Sequence, residues 1–216
     1  MSKYGYVGKE SDIPQQAFKA NAGVLSVNDH LSLSQQNKLT QYGQWELIET
    51  KEVTSAVTYF DFLNIKENEY DVHFLIWETI HPQSDNKTLT LKYSKDGGST
   101  FISSGYSFAF INGNEANTFL ESRSDSIGFQ YLSTGVGTGT QETAQGYCYI
   151  YKAGDNTSYT LQSFQSADLN ASNVFQIFSG GHIYKTKCAI NAFRVGENSG
   201  TSTWTGNISL YGLRSY

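Results

Sequence analysis

Charge is scarce in this chain. Asp, Glu, Lys and Arg make up 16% of its 216 residues, against roughly a quarter in an average globular protein. There is no long basic run and the formal net charge is −5, which argues against a phosphate-tracking surface and therefore against nucleic-acid binding. No stretch approaches the run of about twenty apolar residues that a membrane-spanning helix needs, so no membrane insertion is expected. The opening MSKYGYVGKESDIPQQAFKANAG has no continuous apolar segment of the secretory kind. The two cysteines, Cys148 and Cys188, each lie in an apolar, strand-like run. They read as buried free thiols. A disulfide would need neighbouring strands and an oxidising compartment, and a metal site would need further ligands close by. Proline occurs only twice, and no segment has the period and composition of a long helix.

What fills the space is aromatic and uncharged-polar. Tyr occurs 15 times and Phe 13 times, amid abundant Ser, Thr, Asn, Gln and Gly, the mixture of an exposed-face β protein. From Tyr42 onward apolar alternation recurs in short runs, among them AVTYFDFLNI (56–65), EYDVHFLIWETI (69–80), GYSFAFI (105–111), SIGFQYL (126–132), GYCYIYKA (146–153), YTLQSFQ (159–165), VFQIFSG (174–180), KCAINAFRVG (187–196) and WTGNISLYGL (204–213). About eleven strands with Gly, Asn, Asp and Ser between them predict an all-β fold, a two-sheet antiparallel β-sandwich of the jelly-roll type, over 42–216. KDGG (95–98) is expected to turn a hairpin, and STGVGTGTQETAQG (133–146) to form a mobile loop. In the last run Trp204, Ile208 and Leu210 fall on one face, with Asn207, Ser209 and Tyr211 on the other. Residues 1–41 lack strand runs yet carry Tyr4, Tyr6, Ile13, Phe18 and Leu25, the pattern of an anchoring arm that orders against a partner.

Motifs for chemistry are missing. The four histidines His30, His73, His81 and His182 form no HExxH pair, and no GxSxG elbow is present. Neither a catalytic residue nor a metal or cofactor ligand set emerges. Of the carboxylates, Glu69 and Asp71 in EYDVH come nearest to a same-face hydrolase pair, without a third acid behind them. The acids of SDN (84–86), KDGG (95–98) and GDNTS (154–158) suit turns better than calcium, because each loop offers only one carboxylate. Sugar binding is open to the aromatics Tyr131, Tyr149, Tyr151, Tyr159 and Trp204, whose rings could meet pyranose faces or pack in the core.

One resemblance joins the arm to the strands. YGYVG (Tyr4 to Gly8), FKANAGVLSVNDH, YGQWELIET, IKENEYDVHFL and the closing ISLYGLRSY resemble virion structural proteins of tailed phages, marine ones especially. That resemblance implies a non-enzymatic virion component, tail or tail-fibre associated, or else a capsid decoration or head-fibre protein. It further implies several copies, a trimer by analogy, attached to other virion proteins through the N-terminal arm. A receptor-recognition module for host surface glycan and a polysaccharide hydrolase are the other expectations.

Overall fold

The computed structural model describes residues 45–116 and 118–213, through which twelve strands run. The arm expected over 1–41, with Tyr4, Tyr6, Ile13, Phe18 and Leu25, lies outside the described residues. In chain order the strands are β1 (Glu46–Val57), β2 (Tyr59–Phe62), β3 (Val72–Pro82), β4 (Lys87–Ser94), β5 (Tyr106–Asn114) and β6 (Thr118–Ile127). They continue with β7 (Gln130–Val136), β8 (Ala144–Tyr151), β9 (Thr160–Leu169), β10 (Phe175–Tyr184), β11 (Ala192–Gly196) and β12 (Trp204–Leu213).

Two antiparallel sheets result. The larger has the order β1-β12-β3-β8-β9-β10-β5-β6 and the smaller β2-β11-β4-β7. Setting aside the hairpins β5–β6 and β9–β10 leaves β1-β12-β3-β8 facing β2-β11-β4-β7, with the chain changing sheet at every step except β4 to β7. That is a jelly roll. The two hairpins lengthen one sheet beyond its partner, β10 pairing with β5 to join them.

Between the sheets lies an aromatic core. Trp77, Trp204, Tyr93, Tyr106, Phe60, Phe62 and Phe193 are all essentially inaccessible, and burying each such ring stabilises the fold by about 2–3 kcal/mol. The Tyr106 hydroxyl accepts from the Tyr93 amide at 2.9 Å, and the Tyr93 hydroxyl donates to Gln130 Oε1 at 3.2 Å. These bonds satisfy groups that would be costly to bury unpaired.

Several expectations change in detail. The run 56–65 is not one strand: Thr58 is a bend at which the chain leaves β1 in the large sheet for β2 in the small one. KDGG does not link neighbouring strands, because β4 and β5 lie in different sheets. Instead the Asp96 carboxylate accepts from Ser94 Oγ and from the Thr100 amide and hydroxyl, holding its own pKa down at about 2. β6, TFLESRSDSI, escaped the pattern because both of its faces are polar or exposed. Of 187–196, only Ala192–Gly196 is strand; Cys188 precedes it, half-buried, and both cysteines are free. Within 133–146, strand pairing continues to Val136 and resumes at Ala144. The short connection is stitched by Gly139 N donating to Glu142 Oε2 and Thr138 N to Asp85 Oδ1.

Candidate binding face

The outer face of a sandwich sheet is normally polar. On the large sheet part of it is aromatic. Strand parity sends Val72, Phe74 and Ile76 of β3 outward, and antiparallel register places Phe74 between Tyr211 of β12 and Tyr149 of β8. One row along, Ile76 lies between Ser209 and Tyr147, and Tyr147 is followed by Gln165 of β9 and Ser179 of β10. Trp45, just ahead of β1, lies over this surface with its ring 5.0 Å from Phe74 and 5.9 Å from Tyr149. Phe74 and Tyr149 are 4.9 Å apart, and Tyr149 stacks toward Tyr151 at 6.3 Å and 19°. Six rings therefore form a continuous half-exposed platform: Trp45, Phe74, Tyr147, Tyr149, Tyr151 and Tyr211.

Beside the platform the surface dips into a groove of about 430 Å³ across β8, β9 and β10. The cause is local. Ala167 and Ser179 carry small side chains between the taller Tyr147 and Ile177. The Tyr147 hydroxyl donates to Gln165 Oε1 at 2.6 Å, which satisfies the amide oxygen and leaves the amide NH2 as donor. Further along, the Tyr151 and Ser163 hydroxyls pair at 3.1 Å. Among the described residues, no Asp, Glu, Lys, Arg or His lines the groove. The arrangement offers flat aromatic faces and uncharged donors and acceptors.

The five aromatics singled out for sugar contact divide four ways. Tyr149 and Tyr151 stand on the platform. Tyr159 is exposed in the connection before β9, in ring contact with none of them. Tyr131 is half-buried on β7 of the other sheet, against Phe108, Phe110 and Phe129 at 5.0–5.4 Å. Trp204 must be corrected: it is fully buried and faces the core with Ile208 and Leu210, so it presents nothing to a ligand. Trp45, Phe74, Tyr147, Tyr211 and Gln165 were missed. The available signal was that Tyr147, Tyr149 and Tyr151 share one parity, which places all three on whichever face Tyr149 occupies.

Glu69 and Asp71 precede β3, in and after the turn closed by the Glu69 amide on the Lys66 carbonyl at 2.9 Å. They are not side by side on a strand.

Titratable groups do lie inside the sandwich. His73 donates from Nε2 to the Ile65 carbonyl at 2.8 Å, and burial pushes its pKa down to about 4. His182 Nε2 accepts from the Tyr131 amide at 3.0 Å, so the ring is neutral with its proton on Nδ1; burial lowers its pKa to about 3. Asp168, on the inner face of β9, accepts from the Ser133 hydroxyl, and burial raises its pKa to about 6 against the opposing pull of Ser133 and Gln176. These three groups face the interior and not the groove.

No protein-family model, curated protein or solved structure matches the chain. Its class therefore rests on its own geometry: a jelly-roll β-sandwich with one extended sheet and an aromatic outer face.

Proposed function

We propose that the sandwich is a non-catalytic carbohydrate-binding module and that the aromatic outer face of the large sheet is its binding surface. The observation that carries this is the continuity of the Trp45, Phe74, Tyr147, Tyr149, Tyr151 and Tyr211 platform with a groove lined by Gln145, Gln165 and Ser179. Pyranose rings stack their C–H faces on aromatic rings, and their hydroxyls need neutral amide and hydroxyl partners to bind edge-on. A contiguous, half-exposed aromatic surface of this kind marks an interaction site. The lack of ionised groups in the groove favours a neutral glycan and supports binding without hydrolysis.

The phage resemblance supplies a setting for this reading. A virion component present in many copies would bind a host glycan weakly per site and tightly in aggregate. A glycan array followed by calorimetry tests the proposal. Tyr149→Ala and Gln165→Ala should each weaken binding by roughly tenfold, the loss of one stacking or hydrogen-bond contact. Absence of binding to any glycan, or equal binding by wild type and both variants, rejects the assignment. If reducing sugar is instead released and Glu69→Gln or Asp71→Asn abolishes the release, the hydrolase expectation replaces it.

A further inference from the structure

The outer edge of β6 stands apart from the other sheet edges. Among the described residues β6 pairs only with β5. Phe119 is 73% exposed and the adjacent Leu120 57%, although alternation sends them to opposite faces. On the outer face the Phe119 ring lies over Gly113, where a β-carbon would come within 2.6 Å of it. Its row continues through Gly113 to the exposed Ile177. On the inner face the small sheet ends at β7, which lies against β8, β9, β10 and β5, and Leu120 remains exposed beyond it. A partner packed on either face would cover only one of these side chains. A strand added alongside β6 covers both and satisfies its open ladder.

The charges on β6 say which strand fits. Glu121, Arg123 and Asp125 are exposed on one face and, among the described residues, take part in no ion pair. Two antiparallel copies of β6 related by a two-fold axis at Ser122 place each Glu121 opposite the second copy's Arg123. An axis at Glu121 sets Glu121 against itself; an axis at Arg123 sets Arg123 against itself and Glu121 against Asp125. An axis at Ser124 also matches charges, pairing Arg123 with Asp125, but carries Phe119 and Leu120 past the end of the partner strand at Ile127. Only the Ser122 axis pairs Glu121 with Arg123 while keeping Phe119 and Leu120 within the partner strand, opposite Asp125 and Ser124. At the opposite edge β1 carries Glu46, Glu49, Lys51 and Glu52, and there Lys51 is already paired with Glu49 of its own strand at 2.5 Å.

We propose that the chain self-associates as an isologous dimer by antiparallel pairing of β6 with β6 about Ser122, joining two large sheets into one. This is independent of the carbohydrate assignment. Sedimentation velocity on the full chain at low salt should show a concentration-dependent dimer. Arg123→Glu turns both cross-strand attractions into repulsions and should raise the dissociation constant by roughly tenfold or more; the double variant Glu121→Arg/Arg123→Glu restores opposite signs and should restore the dimer. As a geometric check, S122C places two thiols across the axis at the separation of directly paired strand residues, within disulfide reach. Mild oxidation should give a covalent dimer that R123E suppresses. A wild-type chain that stays monomeric, a trimer, a dimer indifferent to R123E, or S122C that fails to cross-link overturns the proposal.

Discussion

Single residues in this sandwich set its response to acid. His73 and His182 are neutral when folded, with pKa values near 4 and 3, whereas unfolded histidines titrate near 6.5. Between those values the unfolded chain binds more protons, so stability falls as pH drops below about 6.5. Asp168 works the other way. Its folded pKa of about 6 exceeds the unfolded value, so protonation from pH 6 toward 4 favours the folded state. Two histidines against one aspartate leave a net loss on the order of 1 kcal/mol per pH unit, seen as a melting temperature that declines from pH 7 to 4.5. His182→Gln should flatten that decline, and Asp168→Asn should steepen it by removing the compensation. If the curve is flat, or the two variants move it in the same direction, this account fails. Trp204→Ala should cost roughly 3–5 kcal/mol of stability and leave glycan affinity unchanged once folded, which separates its core position from the ligand-facing role that composition allowed. Residue type announced an aromatic-rich protein. It could not say which ring faces which way, because Tyr149 and Trp204 both sit in apolar alternation and only the neighbouring strand decides what each meets.

The elements were more legible than their junctions. The strand Trp204–Leu213 coincides with the run WTGNISLYGL, and its two faces divide as parity requires. β12 lies between β1 and β3 and buries Ile208 and Leu210 completely. Truncation after Gly206 would lose both side chains, at about 2–5 kcal/mol each, and strip two strands of their ladder partner. The sum rivals the whole stability of a typical domain. Circular dichroism of the truncated chain should show an unfolded protein; a β-rich spectrum with unchanged melting would mean that β12 is dispensable. What eluded the sequence was where a strand leaves its sheet. Nothing in AVTYFDF signals the bend at Thr58, and β6 has no apolar face to announce it. Short connections held by single carboxylates were similarly hidden. Glu197 Oε2 accepts from Thr201 N, Thr201 Oγ1 and Ser202 N, and its Oε1 from Lys87 at 3.1 Å, lowering its pKa to about 2. Glu197→Ala should destabilise the fold by about 1–3 kcal/mol at neutral pH and by less below pH 4, where the unfolded carboxylate is already protonated and the folded one begins to be.

At the scale of the whole molecule, eight strands oppose four. A sandwich of equal sheets closes its core on itself, whereas here one sheet has twice the strands of the other, and the added strands hold the β9–β10 side of the groove and the β6 edge. The jelly-roll order could not be read from strand spacing, since many sandwiches share it; the insertion of two hairpins into one sheet is a matter of pairing alone. The candidate face was legible only as a surplus of tyrosine, because its rings come from β3, β8, β12 and the residue ahead of β1, far apart in the chain.

The pairing of β1 with β12 has a consequence for how the protein is made. The first and last strands of the described fold are hydrogen-bonded neighbours from Glu46↔Gly212 to Val57↔Trp204, so the large sheet cannot be completed until nearly the whole segment between them has left the ribosome. Contacts of such long sequence separation place folding in the millisecond-to-second range. During translation the edges of β1 and β3 that face each other across β12 therefore stay open until β12 arrives.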